Sequence, residues 1–270
     1  MLNLPILTAD TYFTPFEKTL AYDALPKKFP TPFAKSPHPL TSQAVSMLQA
    51  HVQNQQDWAH NFGLTNDEVN IIGKMFGVLV VQTEQNEIGY LSAFSGKLAG
   101  ANHHSRFVPP LFDGVAAGGF LNAGMTELSR INDEISMLEA ERLGTFETQI
   151  RELKVMRKAH SLTLQNQIFD QYHFLNQTGK QKSLREIFSD AGYKNPPAGA
   201  GECAAPKLLQ YAFQQNMKPL AIAEFWWGQS PKSAFWKHRE FYPSCREKCA
   251  PILAHMLSGM ELEHSHIICD

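Results

Sequence analysis

Met75-Phe-Gly-Val-Leu-Val-Val81, a polar run from Gln82 to Glu87, then Ile88-Gly-Tyr-Leu-Ser-Ala-Phe94 is the stretch on which the fold turns. Two short apolar runs flanking a polar turn spell a β-hairpin. The unbroken apolar run at 75–81 predicts a strand buried on both faces.

Upstream, residues 1–40 are rich in aromatics and proline (Pro5, Pro15, Pro26, Pro30, Pro32, Pro37, Pro39). Proline fixes φ and removes a donor, so this segment reads as an extended arm over a domain surface. A helix is expected from Leu40 to about Phe62, capped by Thr41 or Ser42, with Val45, Leu48 and Val52 on one face. Downstream, Asn122 to Gln177 reads as one long helical stretch. Leu128, Ile131, Ile135 and Leu138 share a face; after a break at Gly144 come Ile150 and Leu153, then Leu164, Ile168, Tyr172 and Leu175. Spacing near 3.5 fits a helical hairpin or coiled coil, with a second copy as one partner; two amphipathic helices on the domain body fit as well.

The last third alternates: helix from Pro206 to Asn216, strand from Lys218 to Gly228, helix from Cys245 to Met260. The expected architecture is α/β (α+β): a small mixed sheet with helices. Its core spans residues 41–120 and 190–270, interrupted by a helical insert at 121–189 and preceded by the 1–40 arm.

A 270-residue chain can bury a substantial core. Its formal charge of -2 excludes a global field that draws it to nucleic acid or an anionic membrane. The first twenty residues lack a basic, then apolar, leader, and no later stretch approaches a membrane helix. The expectation is a cytoplasmic protein whose cysteines are reduced thiols or metal ligands.

Three of those cysteines carry the clearest chemical signal. Cys203 stands where a Gly/Pro-rich loop runs into a helix, and Cys245 and Cys249 stand at i and i+4. That spacing puts both sulfurs on one helix face, and helix starts favour the thiolates that zinc requires. Three thiolates would supply most of a tetrahedral zinc site, with His238, Glu202 or water as the fourth ligand. Three unligated reduced cysteines is the competing reading.

Glu224-Phe-Trp-Trp-Gly228 admits two readings. Trp226 and Trp227 either stack on bases, with Lys232, Lys237, His238 and Arg239 meeting phosphates, or fill the core of a buried strand. Arg151, Lys154, Arg157 and Lys158 likewise form either an RNA-tracking stripe or a solvated face paired with Glu147 and Glu152. The eleven histidines, His103-His104 and His264-x-His266 among them, show no zinc-enzyme spacing. No nucleophile elbow or Walker loop is present.

A hairpin, a helix opening at a thiol, a strand, then a helix opening with Pro-x-Cys-x3-Cys resembles the zinc nucleoside-deaminase (cytidine-deaminase-like) fold. In that family a glutamate two residues after the first ligand shuttles the proton. Here that position is Ala205, and Glu202 and Glu224 are the remaining candidates.

Longer strings carry a second resemblance. They are Gly73-Lys-Met-Phe-Gly-Val-Leu-Val-Val81, Gly89-Tyr-Leu-Ser-Ala-Phe-Ser-Gly-Lys-Leu98 and Phe107-Val-Pro-Pro-Leu-Phe-Asp113. With them go Pro197-Ala-Gly-Ala-Gly-Glu-Cys-Ala-Ala-Pro-Lys-Leu-Leu-Gln-Tyr-Ala212, Ala223-Glu-Phe-Trp-Trp-Gly228 and Phe241-Tyr-Pro-Ser-Cys-Arg-Glu-Lys-Cys249. Nearly the whole chain resembles the amino-terminal accessory region of RluA-like RNA pseudouridine synthases. The catalytic aspartate of that family sits in an Arg-Leu-Asp context; the nearest string here is Arg142-Leu-Gly144. The resemblance therefore implies a non-catalytic, RNA-positioning role beside a pseudouridine synthase catalytic domain, on rRNA or tRNA, with any zinc structural. The rival expectations are a zinc-dependent deaminase-like hydrolase and a helical protein-interaction module.

Overall fold

The computed structural model describes residues 12–16, 25–65, 72–114, 119–141 and 146–263. Along the chain these form β1 (Thr14–Pro15), α1 (Pro39–Asn54), β2 (Lys74–Gln82), β3 (Ile88–Phe94), α2 (Phe120–Ala140) and α3 (Glu147–Phe169). There follow β4 (His173–Leu175), β5 (Gln181–Ser183), α4 (Leu184–Asp190), α5 (Ala204–Gln214), β6 (Lys218–Trp227), β7 (Phe241–Tyr242) and α6 (Arg246–Met256).

The hairpin forms where its apolar runs place it. Leu79 pairs with Leu91 and Val81 with Gly89, and Asn86 takes the left-handed turn conformation at φ 64°. Asparagine tolerates that region better than most residues. The main sheet runs β1-β3-β2-β6-β7, and each pairing between these strands is antiparallel. This corrects the mixed sheet expected. The chain returns through α5 to the far side of β2, so β6 runs in the direction of β3 but pairs with the oppositely directed β2 on one edge and with β7 on the other. Parallel pairing among the described residues is confined to the isolated bridges Phe29–Leu262 and Ser92–Phe107.

Strand periodicity divides the core into two layers. Phe76, Val78 and Val80 pack with Leu40, Val45, Leu48 and Val52 of α1. Leu79 and Val81 face the other way, onto Ala204, Leu208 and Leu209 of α5 and Ile252 and Leu253 of α6. β2 is thus buried on both faces, as its composition requires. Gly77 faces the start of α5, where a Cβ would meet the Ala204 methyl at 2.9 Å, so the helix packs close on this strand.

α1 opens earlier than expected. Its cap is His38, whose Nδ1 accepts the Leu40 N–H at 3.2 Å, in place of Thr41 or Ser42. Pro39 suits the first helical turn, where its missing N–H costs nothing. The helix ends at Asn54, well before Phe62.

α2 and α3 form a helical hairpin with a small core of Ile131, Ile135 and Leu153. The long helical stretch stops at Phe169. Residues 173–183 instead make a two-stranded hairpin, its turn held by the Asn176 side chain accepting from the Thr178 and Lys180 N–H groups. Phe174, Leu184, Ile187 and Phe188 then join the main core. The excursion is therefore shorter than the 121–189 insert expected. The arm's described part lies along the domain, with β1 on the sheet edge and Phe29 bonded to Glu261 and Glu263 backbone. Among the described residues no helix is long and apolar enough to cross a membrane.

Candidate metal centre and its cavity

Cys203 and Cys245 are the cap residues of α5 and α6, each in extended backbone conformation. Cys249 lies one turn into α6 and is fully buried. The sulfur atoms of all three lie within 4.8 Å of one another. Two helix starts remote in the chain are thus side by side, as the thiol pattern required.

Local bonds fix this meeting. The Ala204 N–H donates to Ser95 Oγ at 3.2 Å, and the Gly96 N–H to the Glu202 carbonyl at 2.9 Å. Buried Lys207, one turn along α5, donates to the Phe94 and Gly96 carbonyls. These contacts pin Cys203 to the end of β3. On the other side, the Ser244 N–H donates to the Pro32 carbonyl, so the arm steadies the turn before Cys245.

The cluster concentrates negative charge on one sulfur. The Cys203 and Cys249 thiols, then the Lys248 and Cys249 N–H groups, donate to Cys245 and hold its thiol well below the usual range. Cys203 is raised by its bond to Cys245, and Cys249 by its bonds to Cys203 and Cys245 and by burial. Zinc–sulfur bonds of about 2.3 Å in a tetrahedron separate the sulfurs by about 3.8 Å. The trio therefore fits a zinc ion with small side-chain adjustment, leaving one coordination position without a ligand among the described residues. No fourth histidine, cysteine or carboxylate joins the three within that distance among the described residues.

His238 is not brought to the thiols. Its Nδ1 accepts the Gly228 N–H at 2.9 Å, and its ring packs on Trp227. Glu202 turns away too, toward Tyr172, whose hydroxyl it helps hold in the protonated form after burial. Glu224 does arrive. Strand alternation points it to the α5/α6 side of β6, where it lines a cavity of about 750 Å³ together with Cys203, Cys245 and Cys249. It accepts a 2.6 Å hydrogen bond from the Ser244 hydroxyl and one from the Ala205 N–H. Burial nevertheless pushes its carboxyl up to about 7. A carboxyl titrating near neutrality inside a cavity suits proton transfer.

The two tryptophans separate. Trp227 packs in the α1-side core and carries Arg239 over its ring at 5.1 Å. Trp226 faces the cavity, against Trp236 at 4.3 Å between ring centres. Both are buried, so the core-strand reading describes Trp227, and Trp226 belongs to the cavity wall. Lys232, Lys237 and Arg239 are exposed on the 229–240 loop, outside the cavity lining.

On α3, the basic stripe is tied to α2. Lys154 pairs with Glu139 at 2.7 Å and Arg157 donates to Asn132 at 2.8 Å, while Arg151 and Lys158 stay exposed. The expected partners Glu147 and Glu152 make neither of these bonds. His264, His266 and Arg142-Leu-Gly144 lie outside the described residues.

Sequence reasoning missed Ser244, Ser95 and Trp236. Ser244 stands inside the Pro-Ser-Cys string, but no local pattern marks a serine as the donor to a glutamate twenty residues away. No known protein family, curated protein or solved structure matches the chain.

Proposed function

We propose that this chain is a zinc-binding module of RNA modification. The observation that supports it is the convergence of the Cys203, Cys245 and Cys249 sulfurs within 4.8 Å at two helix starts. The RNA-modification half rests on the resemblance to the amino-terminal region of RluA-like pseudouridine synthases. Three strings that carry that resemblance, 197–212, 223–228 and 241–249, supply the thiols and half of the cavity lining around them. Bound zinc would tie α5 to α6 and stabilise the domain, since metal bound only by the folded state adds its binding free energy to folding. Elemental analysis of the purified protein, with melting curves before and after chelation, tests the metal. One zinc per chain and a melting temperature lowered by chelator are expected; neither in zinc-supplied protein overturns the proposal.

A second reading is hydrolysis of the nucleoside-deaminase kind. Glu224 favours it, because its carboxylate accepts the N–H of Ala205, the position at which deaminases carry their proton-shuttling glutamate. The neighbouring strand thus delivers a carboxylate to the helix turn where the sequence lacks one. Bound zinc supplies Lewis acidity and lowers the pKa of water; Glu224 would hold and return the proton. Ammonia release from cytidine or adenosine, lost in Glu224→Gln, is the expected result. Zinc-loaded protein that releases none removes this reading and leaves the metal site standing.

A further inference from the structure

The cavity beside the thiols has a lining that the metal does not explain. Its volume of about 750 Å³ falls in the range of small-molecule pockets. One wall is aromatic: Trp226 and Trp236 rings lie 4.3 Å apart, and Trp236 and Tyr242 6.0 Å apart. The Trp226 indole N–H is already bonded to the Gly228 carbonyl, so the wall offers flat apolar surface.

Around this wall cations outnumber the anions, which are the Cys245 thiolate and Glu224. Lys35, Lys74, Arg246 and Lys248 line the cavity, and among the described residues none of them makes an ion pair. Among the described residues Glu224 is the sole carboxylate in the lining, and it is engaged by Ser244. A chain of net charge -2 thus gathers four cations at one aromatic cavity. A flat ring joined to an anion satisfies both halves: aromatic faces accept any base, and lysine and arginine meet phosphate.

We propose that this cavity binds one nucleotide unit, its base against Trp236 and Tyr242 and its phosphate against Arg246 and Lys248. The proposal goes beyond the metal-centre reading and stands without it. The unit is either a free mononucleotide or one residue of a single-stranded RNA; both present the same chemistry.

Tryptophan fluorescence and calorimetric titration test it with CMP, AMP and a single-stranded RNA octamer, against cytidine and inorganic phosphate. A nucleotide should bind more tightly than either of its halves. Arg246→Glu, at an exposed position, and Trp236→Leu should each weaken it about tenfold or more. An octamer tighter than CMP and AMP identifies the strand as the source; equal affinities identify the free nucleotide. CMP, AMP and the octamer binding no better than inorganic phosphate, or constants unmoved in both variants, overturns the proposal. Zinc content measured on the same samples separates the outcomes, because nucleotide binding by protein that cannot take up zinc overturns the metal reading alone.

Discussion

The Ser244 hydroxyl donates a 2.6 Å hydrogen bond to Glu224, joining a carboxylate of the cavity lining to the residue that precedes Cys245. Both side chains are buried, so neither has bulk water as a substitute partner. Ser244→Ala should cost about 1–3 kcal/mol in denaturant unfolding, the penalty for a buried polar group left short of a bond. Ser244→Thr, which keeps the hydroxyl, should recover part of it. Equal stability of Ser244→Ala and wild type would show that water replaces the hydroxyl.

Lys207 sets a pH dependence. Burial pushes its ammonium down to about 8, against 10.5 in the unfolded chain. Between those values the unfolded state binds more protons than the folded one, so this group's contribution to stability rises with pH across that window. Full titration is worth on the order of 3 kcal/mol. The wild-type minus Lys207→Met difference in unfolding free energy should therefore climb from pH 8 to 10.5. A flat difference would show that the buried amine keeps its ordinary proton affinity.

Thiol reactivity should be graded. Cys245 is exposed, Cys203 half-buried and Cys249 buried, and Cys245 also holds most of the cluster's negative charge. Reactivity follows thiolate character and access. Brief alkylation of metal-free protein at pH 7, mapped by mass spectrometry, should label Cys245 first and Cys249 last. Zinc should protect all three.

The helical hairpin should be separable from the site. Its core of Ile131, Ile135 and Leu153 forms a cluster apart from the two that cover the sheet. Ile131→Asp puts a charge where the side chain is fully buried, enough to unfold so small a cluster. Hydrogen exchange should then show protection lost over 120–141 and 146–165, with zinc content and protection of β2 and β6 retained. Loss of zinc together with the hairpin would make the two one cooperative unit.

How much was legible follows from where the signals are local. The 75–94 hairpin, α5, β6, α6 and the meeting of three thiols all come from short-range patterns: apolar runs, a Gly/Pro loop into a helix, cysteines one turn apart. The strand directions did not, because antiparallel β2–β6 pairing depends on which side of β2 the returning chain enters. β4 and β5 were hidden inside a helix-like run of Leu164, Ile168, Tyr172 and Leu175, although Asn176-x-x-Gly179 is a turn signal that marks the break. Adjacent Trp226 and Trp227 looked like one aromatic cluster; strand alternation sends them to opposite faces, one to the cavity and one to the core. Glu224 could be named as a candidate, but its bonds to Ser244 and to the Ala205 N–H exist only once β6, α5 and the 243–245 turn converge.

X-ray absorption at the zinc edge on reconstituted protein bears most directly on the thiol cluster as a metal centre. Three sulfur neighbours at about 2.3 Å and a single lighter atom are expected, with the sulfur count falling to two in Cys249→Ser. A shell of nitrogen and oxygen alone, or no tightly held zinc, would contradict it.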